Sequence, residues 1–189
     1  RICPAPCEAS CVLGINKPPV AIEFIEKSII ETAYEKGYVK PRIPSKRTGK
    51  KVAVVGSGPA GLAAAAQLNY AGHWVTLFER ADQIGGLLRY GIPDFKLEKT
   101  VVSRRVEVME AEGVIFKTNV NVGVDITSED LLRDFDAIVL TIGSTEPRNI
   151  TIPGWQTYYG KGVHAAMEFL SQQNKRVSGI DRVKDHRGD

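Results

Sequence analysis

Three glycines and one acidic residue have the types and the spacing needed to bind a dinucleotide. Gly56, Gly58 and Gly61 form a G-x-G-x-x-G pattern, and Glu79 follows further along the chain. The first glycine permits a tight turn, the second lets a pyrophosphate approach the backbone, and the third lets a helix pack close to a strand. A terminal acid accepts hydrogen bonds from a ribose diol and repels a 2′-phosphate. The pattern predicts a dinucleotide site that does not hold NADP.

The segments around these residues follow the order of a β-α-β unit. Residues 52–55, which follow Lys51, are apolar and mostly β-branched, which predicts a buried parallel strand over residues 51–55. Residues 62–71 predict a helix, with Pro59 in its first turn and Gly72 at its end. Residues 74–78 predict a second strand that leads into Glu79. The alternative is a glycine-rich turn that binds nothing.

The cysteines form the second group with possible chemistry. Cys3, Cys7 and Cys11 lie in a short segment that Pro4 and Pro6 should keep as a loop. Three cysteines cannot all pair as disulfides, so metal ligation is favoured. An iron–sulfur cluster takes four thiolates from such loops, so one ligand is missing. Zinc is the alternative, although it has no second Cys/His pair here.

Composition excludes several classes of protein. The chain has 189 residues, of which 43% are hydrophobic and 25% charged, as in an ordinary globular protein. A net charge of +3 is too small to indicate nucleic-acid binding. No apolar run approaches the ~20 residues of a membrane helix, and no signal peptide is visible. We therefore expect a cytoplasmic protein with no membrane and no nucleic-acid partner.

The first fifty residues predict a helical segment and a linker. Residues 18–36 predict a helix whose stripe of Ile22, Ile25, Ile29 and Ala33 is buried. Residues 41–50 contain prolines, Gly49 and several basic residues, which predicts a solvated linker at a domain boundary.

The remaining segments predict further elements of an α/β domain. The loop around Gly85 and Gly86 should let backbone pass close to a flat ligand or a phosphate, or form a buried turn. Helices are predicted at residues 97–112 and 162–172, and a short one is capped by Ser128. Residues 136–143 predict a buried strand. Residues 114–116 and 120–122 predict short strands in a different plane from the main sheet.

At this point the chain resembles the small (β) subunit of glutamate synthase. The N-terminal segment from Cys3 to Cys11, with its Cys-Pro-x-x-Cys-Glu-x-x-Cys sequence, is similar to the Fe–S segment of that family, as are Gly14-Ile15-Asn16 and Pro19-Val20. The glycine turn, Glu79-Arg80, Gly85-Gly86-Leu87 and Gly91-Ile92-Pro93 look like its FAD domain. Arg104-Arg105, Thr141-Ile142-Gly143 and Ile152-Pro153-Gly154 also match. The resemblance covers nearly the whole chain.

The resemblance implies an electron-entry flavoprotein. It implies FAD in the glycine turn, [4Fe-4S] clusters at Cys3, Cys7 and Cys11, and NADPH or NADH in a second domain. Electrons would pass from the nicotinamide through FAD and the clusters to the large subunit. That partner makes glutamate from 2-oxoglutarate and glutamine. Hydride transfer needs no side-chain acid or base, so no catalytic residue is assigned.

The family's FAD contacts carry over to matching positions only. The residues expected at the pyrophosphate are Gly56, Ser57, Gly58, Pro59, Ala60, Gly61 and Gly143. Glu79 and Arg80 would meet the adenosine, Val120 the adenine, and Gly86 and Leu87 the flavin. Arg89 and Arg105 would either reach phosphate or lie on the surface.

The chain departs from the family pattern at both ends. Further cysteines and a second glycine motif for the nicotinamide cofactor are missing. We therefore expect a fragment of a larger protein with two dinucleotide domains, inactive alone. Residues 1–40 would be the end of a helical Fe–S domain, and residues 51–175 the first part of a Rossmann-like FAD domain, a parallel sheet flanked by helices. Residues 176–189 would be a tail leading to the NAD(P)H domain.

Three other functions fit parts of the pattern. The same core could serve ferredoxin or a pyrimidine-reducing domain. A dehydrogenase with one Rossmann domain and NAD would explain the glycine turn but not the double glycine or the cysteines. A truncated module could dock without catalysis.

Overall fold

A computed structural model describes residues 2–179 of the chain. The chain divides into two compact units, one ending at Pro41 and the other beginning at Arg42. The described residues contain no helix that is long and apolar enough to cross a membrane.

The first unit is helical. Its elements are α1 (Pro6–Ala9), a 3₁₀ turn (Val12–Ile15) and α2 (Ile22–Glu35). The prediction that prolines keep the cysteine segment out of a helix was wrong, because Pro6 occupies the first helical turn, where a missing N–H costs little. The predicted burial of the α2 stripe was also wrong within this unit: Ile25 is 49% exposed and Ile29 is 65% exposed.

The second unit is built on a parallel sheet of four strands. The strands are β1 (Lys51–Val55), β2 (Trp74–Phe78), β3 (Ile115–Lys117) and β4 (Ala137–Leu140). They lie in the order β3-β2-β1-β4, and each pair is parallel. This confirms the predicted α/β fold.

Helices connect and cover these strands. They are α3 (Pro59–Tyr70), α4 (Leu87–Tyr90), α5 (Lys99–Ala111), α6 (Ser128–Asp134), α7 (Trp155–Tyr158) and α8 (Ala166–Val177). Alternate residues of β1 face opposite sides of the sheet. Val54 joins a core with residues of α3 and α5, whereas Ala53 and Val55 pack with Phe78 and Leu131. The two cores fix the sheet between its helices.

Four predicted details were wrong. Residues 115–117 form an edge strand of the main sheet, not of another plane, because they pair with β2. Residues 120–122 form no strand and make only an isolated bridge from Val122 to Ile126. Thr127, not Ser128, caps α6, through a reciprocal pair of hydrogen bonds with Asp130. The last helix begins later than predicted and runs to Val177, into the predicted tail.

The basic segment at residues 42–50 packs against other residues of the second unit. The backbone N–H of Arg42 donates to Glu112, and Arg47 donates to Asn69 and to the carbonyl of His73. Gly72 follows α3 with a φ of +95°, and a side chain there would collide with the carbonyl of Lys46. These contacts hold the segment, called the strap below, against α3 and the residues that follow it, although most of the strap is solvent-exposed.

Candidate functional site

A cavity of about 720 Å³ opens at the carboxyl ends of β1, β2 and β4. The last residues of these strands, Val55, Phe78 and Leu140, all line it. Open parallel sheets bind ligands at this edge, and the volume is within the range of small-molecule sites. The loops that leave the three strands therefore define the candidate site.

The glycine turn from β1 into α3 forms one wall. Gly56 has a φ of +100°, which a side chain rarely adopts, and a Cβ there would collide with the carbonyl of Thr141. A Cβ on Gly61 would collide with the carbonyl of Gly56 and lie 2.8 Å from Thr141 Oγ1. These two glycines let α3 start directly against the sheet.

Gly58 differs from its two neighbours in the pattern. Its φ is −64°, and a Cβ built on it meets no protein atom within 4 Å. Gly58, Pro59 and Ala60 line the cavity. The first amides of a helix have no partner in the helix itself, and the helix dipole is positive there. The wall beside Gly58 is therefore suited to an anionic group.

Glu79 lies at the end of β2, where its carboxylate is 7% exposed. Its Oε2 atom accepts the N–H of Ser57 at 3.0 Å and the Ser57 hydroxyl. Its Oε1 atom accepts the N–H of Ala81 at 2.8 Å. A carboxylate oxygen accepts two hydrogen bonds, so Oε1 keeps acceptor capacity beside the cavity.

The double-glycine loop closes on the glycine turn. Gly85 has a φ of +134° and Gly86 a φ of +52°. A Cβ on Gly86 would lie 2.8 Å from the Cα of Gly58. Gly58, Gly86 and Leu87 all line the cavity, so the two glycine loops touch each other where they border it.

Two hydroxyl groups at the end of β4 contact the opposite loops. Thr141 Oγ1 lies 2.9 Å from the carbonyl oxygens of both Val55 and Gly56. Arg80 donates to Thr145 at 2.9 Å, which links the ends of β2 and β4. Gly143 lines the cavity between these contacts.

A cluster of Asp82, Tyr90 and Lys175, which the sequence did not indicate, lies where α8 meets the cavity. The Tyr90 hydroxyl donates to Asp82 at 2.6 Å, and the Lys175 ammonium lies 3.6 Å from the same carboxylate oxygen. Burial by itself would raise the pKa of Asp82, but the Tyr90 hydrogen bond and the Lys175 charge outweigh it and lower the pKa. Burial and the Asp82 carboxylate raise the pKa of Tyr90.

Helix α8 supplies one wall of the cavity. Met167, Ser171 and Lys175 line it and recur every four residues, so they share one face of the helix. Asn174, on a neighbouring face, donates to the carbonyl of Tyr90 at 3.1 Å. This four-residue spacing was readable in the sequence, but nothing there connected it to a cavity whose other walls come from separate loops between residues 55 and 145.

Most of the predicted cofactor residues lie together. Those that line the cavity are Gly56, Ser57, Gly58, Pro59, Ala60, Glu79, Arg80, Gly86, Leu87, Val120 and Gly143. Gly61 lies behind the turn, where it allows close packing.

The assignment of Arg89 to the cofactor needs correction. Its side chain is 7% exposed and donates to the carbonyl of Ile84 and to Ser103. It does not line the cavity, because the short helix α4 turns it toward α5. Arg105 is exposed and lines a different, smaller hollow with Arg42 and Glu112.

Lys99 is a buried cation that sequence reasoning missed. Its ammonium donates to the carbonyls of Ile92 at 2.6 Å and Leu97 at 2.8 Å. Burial lowers its pKa. Lys99 thereby fixes the Gly91-Ile92-Pro93 loop rather than a ligand.

The cysteine segment has thiol donors but no formed metal site. Cys3 and Cys7 are exposed, Cys11 is half-buried, and all three are free. The N–H of Ala5 donates to Cys3 Sγ at 3.4 Å, and backbone N–H groups, first that of Val20, lower the pKa of Cys11. Among residues 2–179, no three His, Cys, Asp or Glu side chains gather as metal ligands. The described arrangement alone does not fit a cluster.

The residues around the cavity do fit a dinucleotide. The open space at Gly58 would be filled by a side chain at that position, and the neighbouring helix end suits phosphates. The Glu79 carboxylate is an acceptor placed for a diol. The shape of the cavity and its hydrogen-bonding groups are therefore both compatible with a dinucleotide.

Comparison with known proteins supports this interpretation. The model of the pyridine nucleotide-disulphide oxidoreductase family matches residues 50–183. The glutamate synthase [NADPH] small chain of Mycobacterium tuberculosis is 58% identical over all of this chain, which spans 38% of its length. The glutamate synthase [NADH] of Schizosaccharomyces pombe is 53% identical over 94% of this chain and 8% of its own.

A solved structure also resembles this chain. The Mycobacterium tuberculosis protein FprA, in complex with NADPH, is 26% identical with a TM-score of 0.59, over 70% of this chain and 31% of that one. These matches confirm the predicted resemblance to the glutamate synthase small subunits. The chain belongs to the pyridine nucleotide-disulphide oxidoreductase family.

Proposed function

We propose that this chain is the FAD-binding part of the electron-entry subunit of an NAD(P)H-dependent glutamate synthase. The observation that carries the proposal is the cavity where the glycine turn, Glu79 and the Gly85-Gly86 loop meet at the ends of parallel strands. The 58% identity to a glutamate synthase small chain supports the same reading. FAD would accept hydride from a nicotinamide and pass the electrons on.

The glycine turn would hold the pyrophosphate. Gly58 leaves the space, and the first amides of α3 supply hydrogen-bond donors and a partial positive charge. The Ser57 N–H is not among these donors, because it already donates to Glu79. Ala60 and Gly61 are the residues whose amides face no helical partner.

Glu79 would select the ribose. Its Oε1 atom retains acceptor capacity for a hydroxyl, and the buried carboxylate would repel a 2′-phosphate. Val120, which lines the same part of the cavity, would lie against the adenine. This end of the site is therefore expected to accept FAD and to reject NADP.

Gly86, Leu87 and helix α8 would border the flavin. Gly86 has no side chain to obstruct a flat ring, and Met167 and Leu87 offer apolar contact. The chain's own contribution is to position the ring and exclude water. No side chain is needed as acid or base for hydride transfer.

The partner and the clusters are further parts of the proposal. The chain spans 38% of the length of a curated relative, so the NAD(P)H domain would lie in the rest of the natural protein. Cys3, Cys7 and Cys11 would ligate [4Fe-4S] clusters only together with ligands outside residues 2–179.

Cofactor release tests the proposal. The full-length protein that contains this chain, denatured and filtered, should release a yellow compound that matches FAD by chromatography and fluorescence. Its reduction by NADPH or NADH, followed at the flavin absorption band, should precede electron delivery to a co-purified large subunit. Release of FMN alone, or a colourless full-length protein, would contradict it.

A further inference from the structure

Ser57 occupies the cavity wall, yet its residue is fully buried, with 0% of its surface exposed. The position within the G-x-G-x-x-G pattern suggested a pyrophosphate contact. The structure instead directs the side chain into the protein, behind the glycine turn, where it meets two other loops.

The Ser57 hydroxyl bridges those two loops. It donates to Oε2 of Glu79, at the end of β2, and accepts the N–H of Gly85 at 2.9 Å. A carboxylate only accepts and an amide N–H only donates, so the direction of both hydrogen bonds is fixed. The Ser57 N–H strengthens the first contact by donating to the same Oε2 atom at 3.0 Å.

The second contact, from the Gly85 N–H to the Ser57 hydroxyl, fixes the position of the double-glycine loop against the glycine turn. Gly85 is held against the glycine turn by its N–H, and the next residue, Gly86, rests on Gly58. Any shift of Gly85 would therefore move Gly86 and Leu87, which line the cavity.

We propose that Ser57 is a positioning residue that couples the two ends of the dinucleotide site through one hydroxyl. One end is the Glu79 carboxylate, which faces the ribose, and the other is the Gly85-Gly86 loop, which faces the flavin. This inference rests on the proposed function and deepens it, because it explains how a single turn serves both halves of FAD.

Removal of the Ser57 hydroxyl should affect the binding of FAD and of ADP differently. In Ser57→Ala the backbone N–H to Glu79 remains, but the buried N–H of Gly85 loses its acceptor. FAD depends on both ends, whereas ADP depends only on the adenosine end. We expect FAD affinity to fall by about tenfold or more, the loss of roughly one hydrogen bond to a charged or buried group, and ADP affinity to fall less.

Titration of full-length apo-protein with FAD and with ADP measures this difference. The matched control is Ser128→Ala, an exposed serine in the first turn of α6 whose hydroxyl donates to the adjacent Glu129. Ser57→Cys retains a weak donor and acceptor at the same position, on a somewhat larger atom, so it should lie between wild type and Ser57→Ala. If Ser57→Ala does not fold, Ser57→Cys carries the same comparison.

A second readout reports the coupling directly. In the double variant Ser57→Ala/Glu79→Gln, the losses of FAD affinity should be less than additive, because the residues share a hydrogen bond. Amide exchange at Gly85 should also accelerate in Ser57→Ala, because its N–H no longer has an acceptor.

The outcomes test two claims separately: that the site binds FAD, and that Ser57 positions its two ends. A wild-type protein that binds ADP but not FAD would overturn the proposed function. A wild type that binds FAD, with Ser57→Ala matching it for both ligands, would overturn the positioning role alone. Equal losses for FAD and ADP, with additive effects in the double variant, would also overturn it, since the hydroxyl would then stabilise the fold in general.

Discussion

The guanidinium carbon of Arg47 lies 4.3 Å from the centre of the Trp74 ring, at the start of β2. The same guanidinium donates to Asn69 Oδ1 and to the His73 carbonyl, each at 2.7 Å. Asn69 is 1% exposed, so its oxygen depends on a protein donor. Arg47 therefore ties the strap at residues 42–50 to the end of α3.

Arg47→Ala should lower the free energy of unfolding by about 2 kcal/mol or more, because hydrogen bonds from a charged donor contribute about 1.5–3 kcal/mol each. For a chain of this size that is a fall of about 4 °C or more in melting temperature. Thermal denaturation of Arg47→Ala beside Lys46→Ala, the exposed neighbour, makes the measurement. Equal melting temperatures in the two variants would show that the strap is indeed a solvated linker.

The glycines of the turn should separate ligand binding from folding. Gly58→Val adds a side chain in open space, so the protein should fold but lose FAD retention. Gly61→Ala places a Cβ against the carbonyl of Gly56, so it should lower the melting temperature even without cofactor. FAD content after gel filtration and thermal melting of apo-protein distinguish the two effects.

Ala63→Val is the matched control for Gly58→Val. It adds a β-branched side chain on the exposed face of the same helix and outside the cavity. The control should keep its FAD. Tight FAD retention by Gly58→Val would mean that the pyrophosphate lies elsewhere.

The sequence predicted the central β-α-β unit well because its signals are local. The apolar run at residues 52–55 favours a strand, and the structure contains one. Gly56 and Gly61 each meet backbone so closely that no side chain fits there, as the glycine pattern predicted. The edge strand β3 could not be placed from its three residues, because pairing with β2 is a long-range property. The exposed stripe of α2 shows that periodicity gives a face without showing what covers it.

The sequence predicted the parts of the site that depend on backbone conformation, but not those that depend on side-chain partners. The turn and the double glycine need positive φ or close approach, which glycine alone signals. Arg89 carries a charge that suggested phosphate, but its partners are Ile84 and Ser103, which nothing in the sequence identifies. Lys175 was missed for the converse reason, because its link to Asp82 spans most of the domain.

Cluster ligation by the cysteines remains a prediction. In the full-length protein, Cys7→Ala should lower iron and acid-labile sulfide and slow electron delivery to the large subunit. Reduction of FAD by NAD(P)H should be unaffected, because it precedes the clusters. Ser10→Ala, in the same segment, is the control. Unchanged iron content in the Cys3, Cys7 and Cys11 variants would leave these residues with a purely structural role.

The Asp82 contacts predict a dependence of stability on pH. Despite its burial, Asp82 has a lowered pKa, owing to the Tyr90 hydroxyl and the Lys175 ammonium. A carboxyl group with a depressed folded-state pKa stabilises the protein fully above its unfolded value, about 3.9, and loses that contribution as the pH falls through the folded value. Wild type should therefore melt above Asp82→Asn at pH 7, and this difference should shrink as the pH falls below about 4.

Melting curves of both proteins between pH 7 and pH 3 test this expectation. Asp125→Asn offers a control carboxyl on the exposed 121–125 turn. Because the Asp82 and Lys175 side chains are 29% and 33% exposed, solvent screening keeps the effect modest. A difference between wild type and Asp82→Asn that stays constant over the whole range would show that Asp82 acts by shape and not by charge.

Glu79 distinguishes an FAD site from an NADP site in the same turn. Glu79→Gln replaces an acceptor with an amide whose N–H group can face the donors at Ser57 or Ala81. The variant should lose ribose contacts and loosen the turn, so FAD affinity should fall by about tenfold or more at about 1.4 kcal/mol per decade. The melting temperature of apo-protein should fall as well, since Glu79 has three donors without any ligand.

The Michaelis constant for NADPH should barely change in Glu79→Gln, because the proposal places that cofactor in another domain of the full-length protein. FAD titration of apo-protein and NADPH oxidation with an artificial electron acceptor measure the two effects separately. Removal of the carboxylate would also relieve repulsion of a 2′-phosphate in the glycine turn. Tighter NADPH binding with unchanged FAD affinity would therefore mean that the turn binds the nicotinamide cofactor and that FAD lies elsewhere.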